Sequence, residues 1–319
     1  MRCFLLKMIV PVVFSFDSNL ILSAKVCIYS LLKSAMASTF YDIYILYPSQ
    51  DDFDRNVFSE LGKLYSNYKI SFIGVDGEFK DAFEIRGITS PTYYRLLIPN
   101  LIPHYKKIIY ADVDIIFRQD LSRIYEESYD KYYIAATYDL GMNLLKDGKE
   151  HVKDLFGENT EEYIQAGFLV LNCELLRTNN MVEVFKSLVK RKMKFQDQDV
   201  LNIACRGKIR ILPWDLNMTD YSFYFVNACP NLLSKRYANV PIEIASKSGN
   251  IHYNGHKPWK GYCVNFDIWW EYYRNSPFYD EKFYFDFFYN KLNELEQLSL
   301  WKRVKILLRY FVFGRQQCQ

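Results

Sequence analysis

Short apolar runs alternate with amphipathic segments from residue 8 onward, and this alternation constrains the fold more than any other feature of the chain. The first apolar runs are of a length typical of buried strands and lie at 8–16, 41–47, 69–75 and 107–111. Between them, apolar residues recur at helical spacing at 19–37 and 53–65. Strands that alternate with helices build a mainly parallel sheet with helices on both faces. We therefore predict an α/β, Rossmann-like fold.

The rest of the chain continues this pattern. Further strands are predicted at 133–138, 167–172 and 209–213, and helices at 181–193 and 199–206. Neither GxGxxG nor GxxxxGK[ST] occurs, which argues against a dinucleotide-dependent enzyme and against a P-loop nucleotidase. Ligands of open α/β sheets bind beyond the carboxyl ends of the strands, so the polar residues that follow the apolar runs are the candidates for chemistry.

The segment Lys107–Phe117, KIIYADVDIIF, has two aspartates two positions apart at the end of an apolar strand. Side chains at i and i+2 of an extended chain face the same way, so Asp112 and Asp114 would repel each other unless a cation lay between them. A hard divalent metal, shared with substrate phosphate oxygens, suits such a pair. The alternative is a pair of solvated aspartates, and the motif alone leaves both open.

A second polar cluster, Gln196-Asp197-Gln198-Asp199, opens a predicted helix. Acidic residues in a first helical turn often only cap the helix and compensate its dipole. That interpretation accounts for one aspartate, but it does not account for a run of carboxamides and carboxylates.

A third cluster contains His252, Gly255 and Lys257. A glycine allows close approach of the backbone to a ligand, and a lysine is a point charge suited to phosphate. A single histidine is more often structural than a ligand. If His252 completes the site of the two aspartates, its imidazole favours manganese over magnesium.

Six segments, which include these clusters, resemble glycosyltransferase family 8, the family of glycogenin and of bacterial lipopolysaccharide galactosyl- and glucosyltransferases. They follow the family's order between about residues 9 and 260: VFSFDSN, SPTYYRLLIP, YADVDIIF, QAGFLVLN, FQDQDVLN and HYNGHKPW. The resemblance implies a GT-A fold, with a Rossmann-like nucleotide-sugar domain and an attached acceptor region. It also implies a retaining enzyme that moves galactose or glucose from a UDP-sugar to lipopolysaccharide, capsule or another lipid-linked saccharide.

The resemblance assigns roles position by position. Asp112, Asp114 and His252 match the ligands of a Mn²⁺ ion, with Mg²⁺ as the alternative ion. The other donor-binding positions are Ser15, Asp17 and Asn19 for uridine, Gly255 and Lys257 for the diphosphate, Arg95, Asp139, Gln165 and Asp197 for the sugar, and Val113 and Ala166 beside them. Gln198 matches the residue near the anomeric carbon, and Gln198 and Asp197 are the candidate catalytic residues. Two positions depart from the family: Asn is common where Gln165 stands, and the loop from His252 to Lys257 is one residue shorter than is common.

Two other functions share some of these features. A phosphatase of the haloacid-dehalogenase type also has an Asp-x-Asp motif, but it carries the motif on its first strand, with Thr or Val two residues further on. Here 111 residues precede Asp112, and Ile116 holds that later position. A non-catalytic nucleotide-sugar-binding protein is the second alternative. Because Gln198 is a poor nucleophile, we favour same-face attack by the acceptor over a covalent glycosyl-enzyme, and the sequence leaves both mechanisms open.

The positive charge of the chain is concentrated at its end. The formal net charge is +3, but residues 1–296 carry −2 and the last 23 residues carry +5. In residues 297–319 the apolar positions lie on one helical face, with most basic residues outside it: Leu300, Trp301, Val304, Leu307, Leu308 and Phe311. This pattern is typical of a helix that lies in a membrane interface, and a helix docked on the protein's own core is the alternative.

We divide the chain into a transferase domain, 1–262, and an aromatic-rich helical C-terminal region, 263–319. No apolar stretch is long enough to span a membrane, and the first residues lack the features of a secretory signal. The expected location is therefore the cytoplasm, with peripheral attachment to the inner face of the membrane. The body of the chain has no basic groove that matches the tail, so we do not expect nucleic-acid binding.

Overall fold

The computed structural model describes residues 7–52, 54–77, 79, 90–157, 163–191 and 193–313. The strands are β1 (Met8–Ser15), β2 (Thr39–Pro48), β3 (Tyr68–Val75), β4 (Ile108–Ala111), β5 (Ile115–Ile116), β6 (Ile134–Tyr138), β7 (Ile164–Leu171), β8 (Ile209–Ile211) and β9 (Ile251–His252). The α-helices are α1 (Ile21–Lys33), α2 (Ile98–Leu101), α3 (Ser122–Glu126), α4 (Leu140–Leu144), α5 (Lys146–Phe156), α6 (Cys173–Thr178), α7 (Met181–Val189), α8 (Gln196–Ala204), α9 (Asp220–Ala228), α10 (Pro230–Arg236), α11 (Ile242–Ser248), α12 (Phe266–Asn275), α13 (Glu281–Glu296) and α14 (Leu300–Phe313). Segments of 3₁₀ helix lie at Ser18–Leu20, Arg55–Lys63, Ser90–Leu97 and Trp214–Leu216.

Seven of the strands form one sheet in the order β3-β2-β1-β4-β7-β6-β8. Neighbouring strands are parallel except at β7, which runs opposite to both β4 and β6. The predicted mainly parallel sheet is therefore confirmed, and every predicted strand overlaps an observed one.

Strand β1 is buried on both faces, because its side chains alternate between two apolar clusters. Val12 and Phe14 belong to a cluster that includes residues of α1, and Val13 belongs to a cluster that includes residues of α7 and α8. Helices thus cover both faces of the sheet, as the alternation of apolar and amphipathic segments predicts.

Three predicted elements differ in detail from the observed ones. Residues 55–63 form a 3₁₀ helix rather than an α-helix, with Phe58 and Leu61 still buried. The helix predicted from residue 199 begins at Gln196, because the Asp199 carboxylate accepts a hydrogen bond from the backbone and so stabilises an earlier first turn. The two aspartates of the Asp-x-Asp motif do not continue an extended strand, since they lie in the connection between β4 and β5, which contains a turn.

The order of strands changes direction at β1. β2 and β3 lie on one side of β1 and β4 lies on the other, so the crevice beyond the carboxyl ends of β1 and β4 is a switch point, where open α/β sheets bind ligands. A separate two-stranded sheet, β5 with β9, pairs Ile115 with His252. This pairing brings a histidine from late in the chain beside the aspartates that follow β4.

Aromatic residues attach the C-terminal region to the body. Trp269, Trp270 and Tyr273 of α12 are buried in one cluster with Val26 and Ile251. Part of the aromatic excess, 18% of the sequence, is used in this contact. Across the ranges given above, no helix is both long enough and apolar enough to cross a membrane. The division at residue 262 stays a prediction.

Candidate active site

A cleft of about 1060 Å³ opens at the switch point of the sheet. Most residues that the sequence marks as site residues line it: Ser15, Arg95, Asp112, Val113, Asp114, Asp139, Gln165, Ala166, Asp197, Gln198, His252, Gly255 and Lys257. The two others, Asp17 and Asn19, lie in the segment that follows β1 and do not line the cleft. Asp17 caps the short 3₁₀ helix there, where its Oδ1 accepts from the Asn19 N–H at 3.0 Å. The neighbouring Ser15 hydroxyl donates to the Pro91 carbonyl at 2.6 Å.

The ligand atoms of Asp112, Asp114 and His252 all lie within 4.8 Å of one another. Nε2 of His252 is 3.1 Å from Oδ1 of Asp114 and 3.7 Å from Oδ2 of Asp112. The pairing of β5 with β9 sets this approach, and the Tyr253 N–H reinforces it by donating to the Asp114 carbonyl at 3.0 Å. Two carboxylates and one imidazole form a suitable ligand set for a divalent ion such as Mn²⁺.

The hydrogen bonds of Asp114 indicate that a cation fits this site. Its Oδ2 accepts from the Lys257 ammonium at 2.5 Å, whereas its Oδ1 is buried and has no hydrogen-bond partner among the residues that the structure describes. A buried carboxylate oxygen without a partner is costly, and a cation bound here would satisfy it. Burial raises the pKa of Asp114, but the Lys257 ammonium and the His252 imidazole together outweigh burial and lower that pKa below its ordinary value. The carboxylate is therefore ionised and able to bind a cation.

Gly167 of β7 leaves the space that these ligands occupy. A Cβ atom at this position would lie 2.3 Å from Cε1 of His252 and 2.7 Å from Oδ2 of Asp112, closer than such atoms approach in proteins. The Gly167 carbonyl also accepts from the Asp112 N–H at 2.8 Å. Any side chain here would displace a ligand, so the close approach requires glycine.

The buried guanidinium of Arg95 connects the two acidic clusters. Its Nη2 donates to Oδ1 of Asp112 at 2.9 Å, and its Nε lies 3.1 Å from Oδ2 of Asp197. Its Nη1 donates to the Ala166 carbonyl at 2.6 Å. Burial raises the pKa of Asp197 to about 6, because the desolvation of its carboxylate outweighs the attraction of Arg95.

Gln198 is held at both ends of its carboxamide. Nε2 donates to Oδ2 of Asp139 at 3.0 Å, and Oε1 accepts from the Ala166 N–H at 3.0 Å. Asp139 also caps α4, where its Oδ1 accepts from the Met142 N–H at 3.0 Å, and burial raises its pKa above the ordinary carboxyl value. A carboxamide bonded in this way can orient a substrate group, but it is poorly placed to act as a nucleophile.

Sequence reasoning missed two residues that contact the metal-ligand candidates. The Tyr110 hydroxyl donates to Oδ1 of Asp112 at 2.6 Å, and its position two residues before Asp112 in the same segment was an available signal. Oδ1 of Asn217 lies 2.9 Å from Nδ1 of His252. Nothing in the sequence around Asn217 marks it as part of a site.

A buried cluster that sequence reasoning also missed holds the start of α8. Oδ1 of Asp199 accepts from the Tyr163 hydroxyl at 2.5 Å and lies 2.8 Å from Nε2 of His151. Oδ2 of Asp199 accepts from the Phe195 N–H at 2.9 Å. Gln196, in the same turn, has a φ of 45°, an uncommon value for a residue with a Cβ atom. These contacts hold the backbone that carries the two candidate catalytic residues.

The cleft therefore combines two kinds of chemistry. At one side, carboxylates, an imidazole and an ammonium lie together, an arrangement that suits a cation and the phosphate groups it binds. At the other side, the guanidinium of Arg95 and the side chains of Asp139, Asp197 and Gln198 offer donors and acceptors that suit the hydroxyl groups of a sugar.

Comparison with known proteins agrees with this geometry. The model of glycosyl transferase family 8 matches residues 11–263. A putative glycosyltransferase of Haemophilus influenzae is 27% identical to the chain over 65% of this chain and 63% of its own length. A lipopolysaccharide 1,2-glucosyltransferase of Escherichia coli K12 is 24% identical over 59% of this chain and 55% of its own length. The matches thus span less than two thirds of these relatives.

Among solved structures, the galactosyltransferase LgtC, in complex with donor and acceptor sugar analogues, matches with a TM-score of 0.69 and 20% identity. The match covers 85% of this chain and 98% of LgtC. It shows that the fold is of the GT-A type, as the sequence predicts. Because the family model covers most of the chain, and the motifs that suggested the family meet in one cleft, the chain belongs to glycosyl transferase family 8.

Proposed function

We propose that the chain transfers galactose or glucose from a UDP-sugar to a saccharide acceptor, with retention of anomeric configuration and with the help of Mn²⁺. The observation that carries the proposal is the convergence of three groups in one cleft: the buried Oδ1 of Asp114, Nε2 of His252 and the Lys257 ammonium. Departure of a nucleoside diphosphate leaves negative charge on a phosphate oxygen, and a cation beside an ammonium stabilises that charge.

Each candidate residue has a role in this proposal. Asp112, Asp114 and His252 would hold the ion, and a bound divalent ion would supply positive charge to neutralise the leaving diphosphate. Lys257 adds a second positive charge, and Gly255 lets the backbone approach the phosphates. Ser15, which lines the cleft, is the proposed uridine contact, and the backbone of Val113 and Ala166 adjoins the donor. The uridine roles of Asp17 and Asn19, which do not line the cleft, stay predictions from the family resemblance.

The sugar ring contacts are Arg95, Asp139, Gln165 and Asp197.

In the mechanism that we favour, the acceptor hydroxyl attacks the anomeric carbon from the face that UDP leaves. The new bond joins the acceptor oxygen to that carbon, the bond from the carbon to the diphosphate oxygen breaks, and the leaving oxygen takes the acceptor proton. A covalent intermediate needs a free nucleophile, but Gln198 is bonded at both ends and Asp197 is paired with Arg95.

Release of UDP tests this function against its alternatives. The protein is incubated with UDP-galactose or UDP-glucose, with and without Mn²⁺, and free UDP is measured. We expect UDP release from one of the two sugars and a strong stimulation by Mn²⁺. Binding of both sugars without release would instead identify a non-catalytic nucleotide-sugar-binding protein, and release of inorganic phosphate from phosphate esters would identify a phosphatase.

We also propose that α13 and α14 attach the enzyme to the inner face of a membrane, close to a lipid-linked acceptor. Leu300 and Trp301 are 79% and 81% exposed. Other apolar side chains of the two helices are exposed as well: Phe285, Tyr289, Leu292 and Leu308. Exposed apolar residues beside lysines and arginines favour binding to anionic lipids, and their exposure argues against a tail helix docked on the core. The name of the lipopolysaccharide relative supports an acceptor of this class.

Liposome binding tests the membrane proposal separately from catalysis. We expect the full chain to cosediment with vesicles that contain anionic phospholipid, and we expect added salt to weaken this binding. A chain that ends at Glu296 keeps α13 but lacks the basic tail of the C-terminal region, residues 297–319, so it should bind the vesicles much more weakly than the full chain. Equal binding of the two chains would refute the proposal without affecting the proposed transfer reaction.

A further inference from the structure

We propose that Gln165 and Asn217 act as positioning residues that set the tautomer of His252, so that the lone pair of Nε2 faces Asp112 and Asp114. The inference rests on the cation site of the proposed function and extends it to residues outside the ligand set. Every residue in the chain of hydrogen bonds is buried: Gln165, Asn217 and His252 are 7%, 3% and 1% exposed.

Backbone hydrogen bonds bring Asn217 to the histidine. The His252 N–H donates to the Met218 carbonyl at 2.9 Å, and the Met218 N–H donates to the Asn250 carbonyl at 3.0 Å. Met218 also forms an isolated parallel bridge with Ile251. This register puts the side chain of Asn217, the preceding residue, against Nδ1 of His252.

The direction of the hydrogen bonds is set at Gly167, whose backbone N–H can only donate. It donates to Oε1 of Gln165 at 2.5 Å, so the oxygen end of that carboxamide faces inward. The same oxygen lies 2.7 Å from Nδ2 of Asn217. Because an amide oxygen can only accept, Asn217 must present its NH₂ group to Gln165.

The orientation of Asn217 then determines the state of the imidazole. With Nδ2 turned to Gln165, Oδ1 of Asn217 faces Nδ1 of His252 at 2.9 Å, and Nδ1 must carry the proton. A neutral imidazole has one N–H, so Nε2 keeps its lone pair. The Thr137 hydroxyl lies 3.2 Å from Nδ2 of Asn217, but a hydroxyl donates or accepts and therefore does not set the direction.

This tautomer explains why the pair Asp114 and His252 needs a cation. Nε2 of His252 and Oδ1 of Asp114 face each other at 3.1 Å, and in this tautomer both are acceptors with no proton between them. A cation held by these residues would satisfy both atoms. Histidines that bind metals commonly donate their other N–H to a neighbouring acceptor, which orients the ring.

The same hydrogen bonds limit how Gln165 can contact a donor sugar. Since Oε1 of Gln165 already accepts two hydrogen bonds, only its NH₂ group is left for a donor sugar.

The protonation of each ring nitrogen can be measured in the metal-free protein by long-range ¹H–¹⁵N NMR on ¹⁵N-histidine-labelled chain, recorded over a series of pH values up to the one at which the imidazole signals are those of the neutral ring. The chain has 4 histidines, and the signals of His252 are identified by their absence in His252→Gln. We expect a proton on Nδ1. In Asn217→Leu we expect a mixture of tautomers and a dissociation constant for Mn²⁺, measured by EPR of the free ion, that is about tenfold higher or more.

Further variants separate this role from a structural one. Asn217→Asp keeps an acceptor beside Nδ1 but loses the donor to Oε1 of Gln165. It should retain the proton on Nδ1 and recover part of the Mn²⁺ binding that Asn217→Leu loses. Gln165→Met removes the oxygen that orients Asn217 and should give mixed tautomers. The exposed Asn227→Leu is the matched control and should change neither readout.

Two results would overturn the inference: a wild-type His252 protonated on Nε2, or a folded Asn217→Leu with the wild-type tautomer and a Mn²⁺ dissociation constant within about twofold of wild type. If Asn217→Leu does not fold, the inference is tested with Gln165→Met instead. An unchanged tautomer of His252 in that variant would contradict the inference. The tautomer is read without metal, donor or acceptor, so failure of the proposed transfer reaction leaves this test intact.

Discussion

Arg95 and Asp197 form a buried ion pair, with Nε of the guanidinium 3.1 Å from Oδ2 of the carboxylate and side chains that are 5% and 7% exposed. The same guanidinium donates to Asp112, so it connects the first turn of α8 to the candidate metal ligands. Loss of one partner from a buried pair leaves an uncompensated charge, which costs more than the pair itself contributes.

Arg95→Met should therefore lower the rate of UDP release by about 100-fold or more, because Asp112 and Asp197 both lose their buried counter-charge. Arg95→Lys keeps the charge but has no planar fork that reaches both carboxylates, so we expect an intermediate loss. Initial rates with saturating Mn²⁺ measure both effects, and melting temperatures report whether each variant is folded. Near wild-type turnover in Arg95→Met would contradict this role.

The pKa of Asp197 predicts how the stability of the folded chain depends on pH. Its pKa of about 6 in the folded protein lies above the ordinary carboxyl value, so ionisation of this group opposes folding. Below about pH 4 this ionisation does not change the free energy of unfolding. Between about pH 4 and pH 6 it lowers that free energy progressively, and above about pH 6 the loss stays constant at about 3 kcal/mol. Removal of Asp197 leaves Arg95 without one counter-charge at every pH, but urea unfolding should show that the stability of Asp197→Asn relative to wild type increases as the pH rises through this window. A stability difference that is the same at both ends of the window would refute the prediction.

The ligand assignment of the acidic pair predicts complete loss of activity on removal of either carboxylate. We expect Asp112→Ala and Asp114→Ala to abolish UDP release with Mn²⁺ present, because each variant leaves the cation with too few protein ligands. Asp130→Ala, at an exposed aspartate, is the control and should keep wild-type rates. If either ligand variant turns over UDP-sugar at near the wild-type rate, the metal site is wrongly assigned.

Gly167→Ala tests the space behind the ligands. The added methyl group would lie 2.3 Å from Cε1 of His252 in the present arrangement, so the ring or strand β7 must move. We expect weaker Mn²⁺ binding, measured by titration with EPR detection. Gly261→Ala is a matched control, since a Cβ atom there meets nothing within 4 Å. Equal affinities of the two variants for Mn²⁺ would show that the site tolerates a side chain at residue 167.

The buried cluster around Asp199 predicts a loss of stability on a conservative change. Tyr163→Phe removes the hydroxyl that donates to Oδ1 of Asp199 and leaves a buried carboxylate with one partner fewer. We expect a destabilisation of about 1–3 kcal/mol in urea unfolding and a lower rate of UDP release, because this cluster holds the turn before Gln198. Tyr132→Phe serves as the comparison, because the Tyr132 hydroxyl has no hydrogen bond to a carboxylate among the residues that the structure describes. An unchanged unfolding midpoint in Tyr163→Phe would contradict the role of the cluster.

The sheet could be predicted because its signal is local. Each predicted strand is an apolar run, and burial on both faces of the sheet requires such runs whatever their partners are. The reversed direction of β7 could not be predicted in this way, because the side chains of a strand alternate identically in parallel and antiparallel pairs. The 3₁₀ form of residues 55–63 was missed for a similar reason, since the apolar spacing of the segment predicts a helix but not its hydrogen-bond pattern.

The sequence by itself determined which residue types are available for chemistry and, through the spacing of Asp112 and Asp114, one half of a cation site. Only the tertiary structure decided which atoms face one another. The pairing of β5 with β9 brings His252 to the aspartates, and the bridge between Met218 and Ile251 places Asn217 behind it. The physical reason is that periodicity and composition report burial, which is a property of each segment, whereas hydrogen-bond partners depend on the register between segments far apart in the chain.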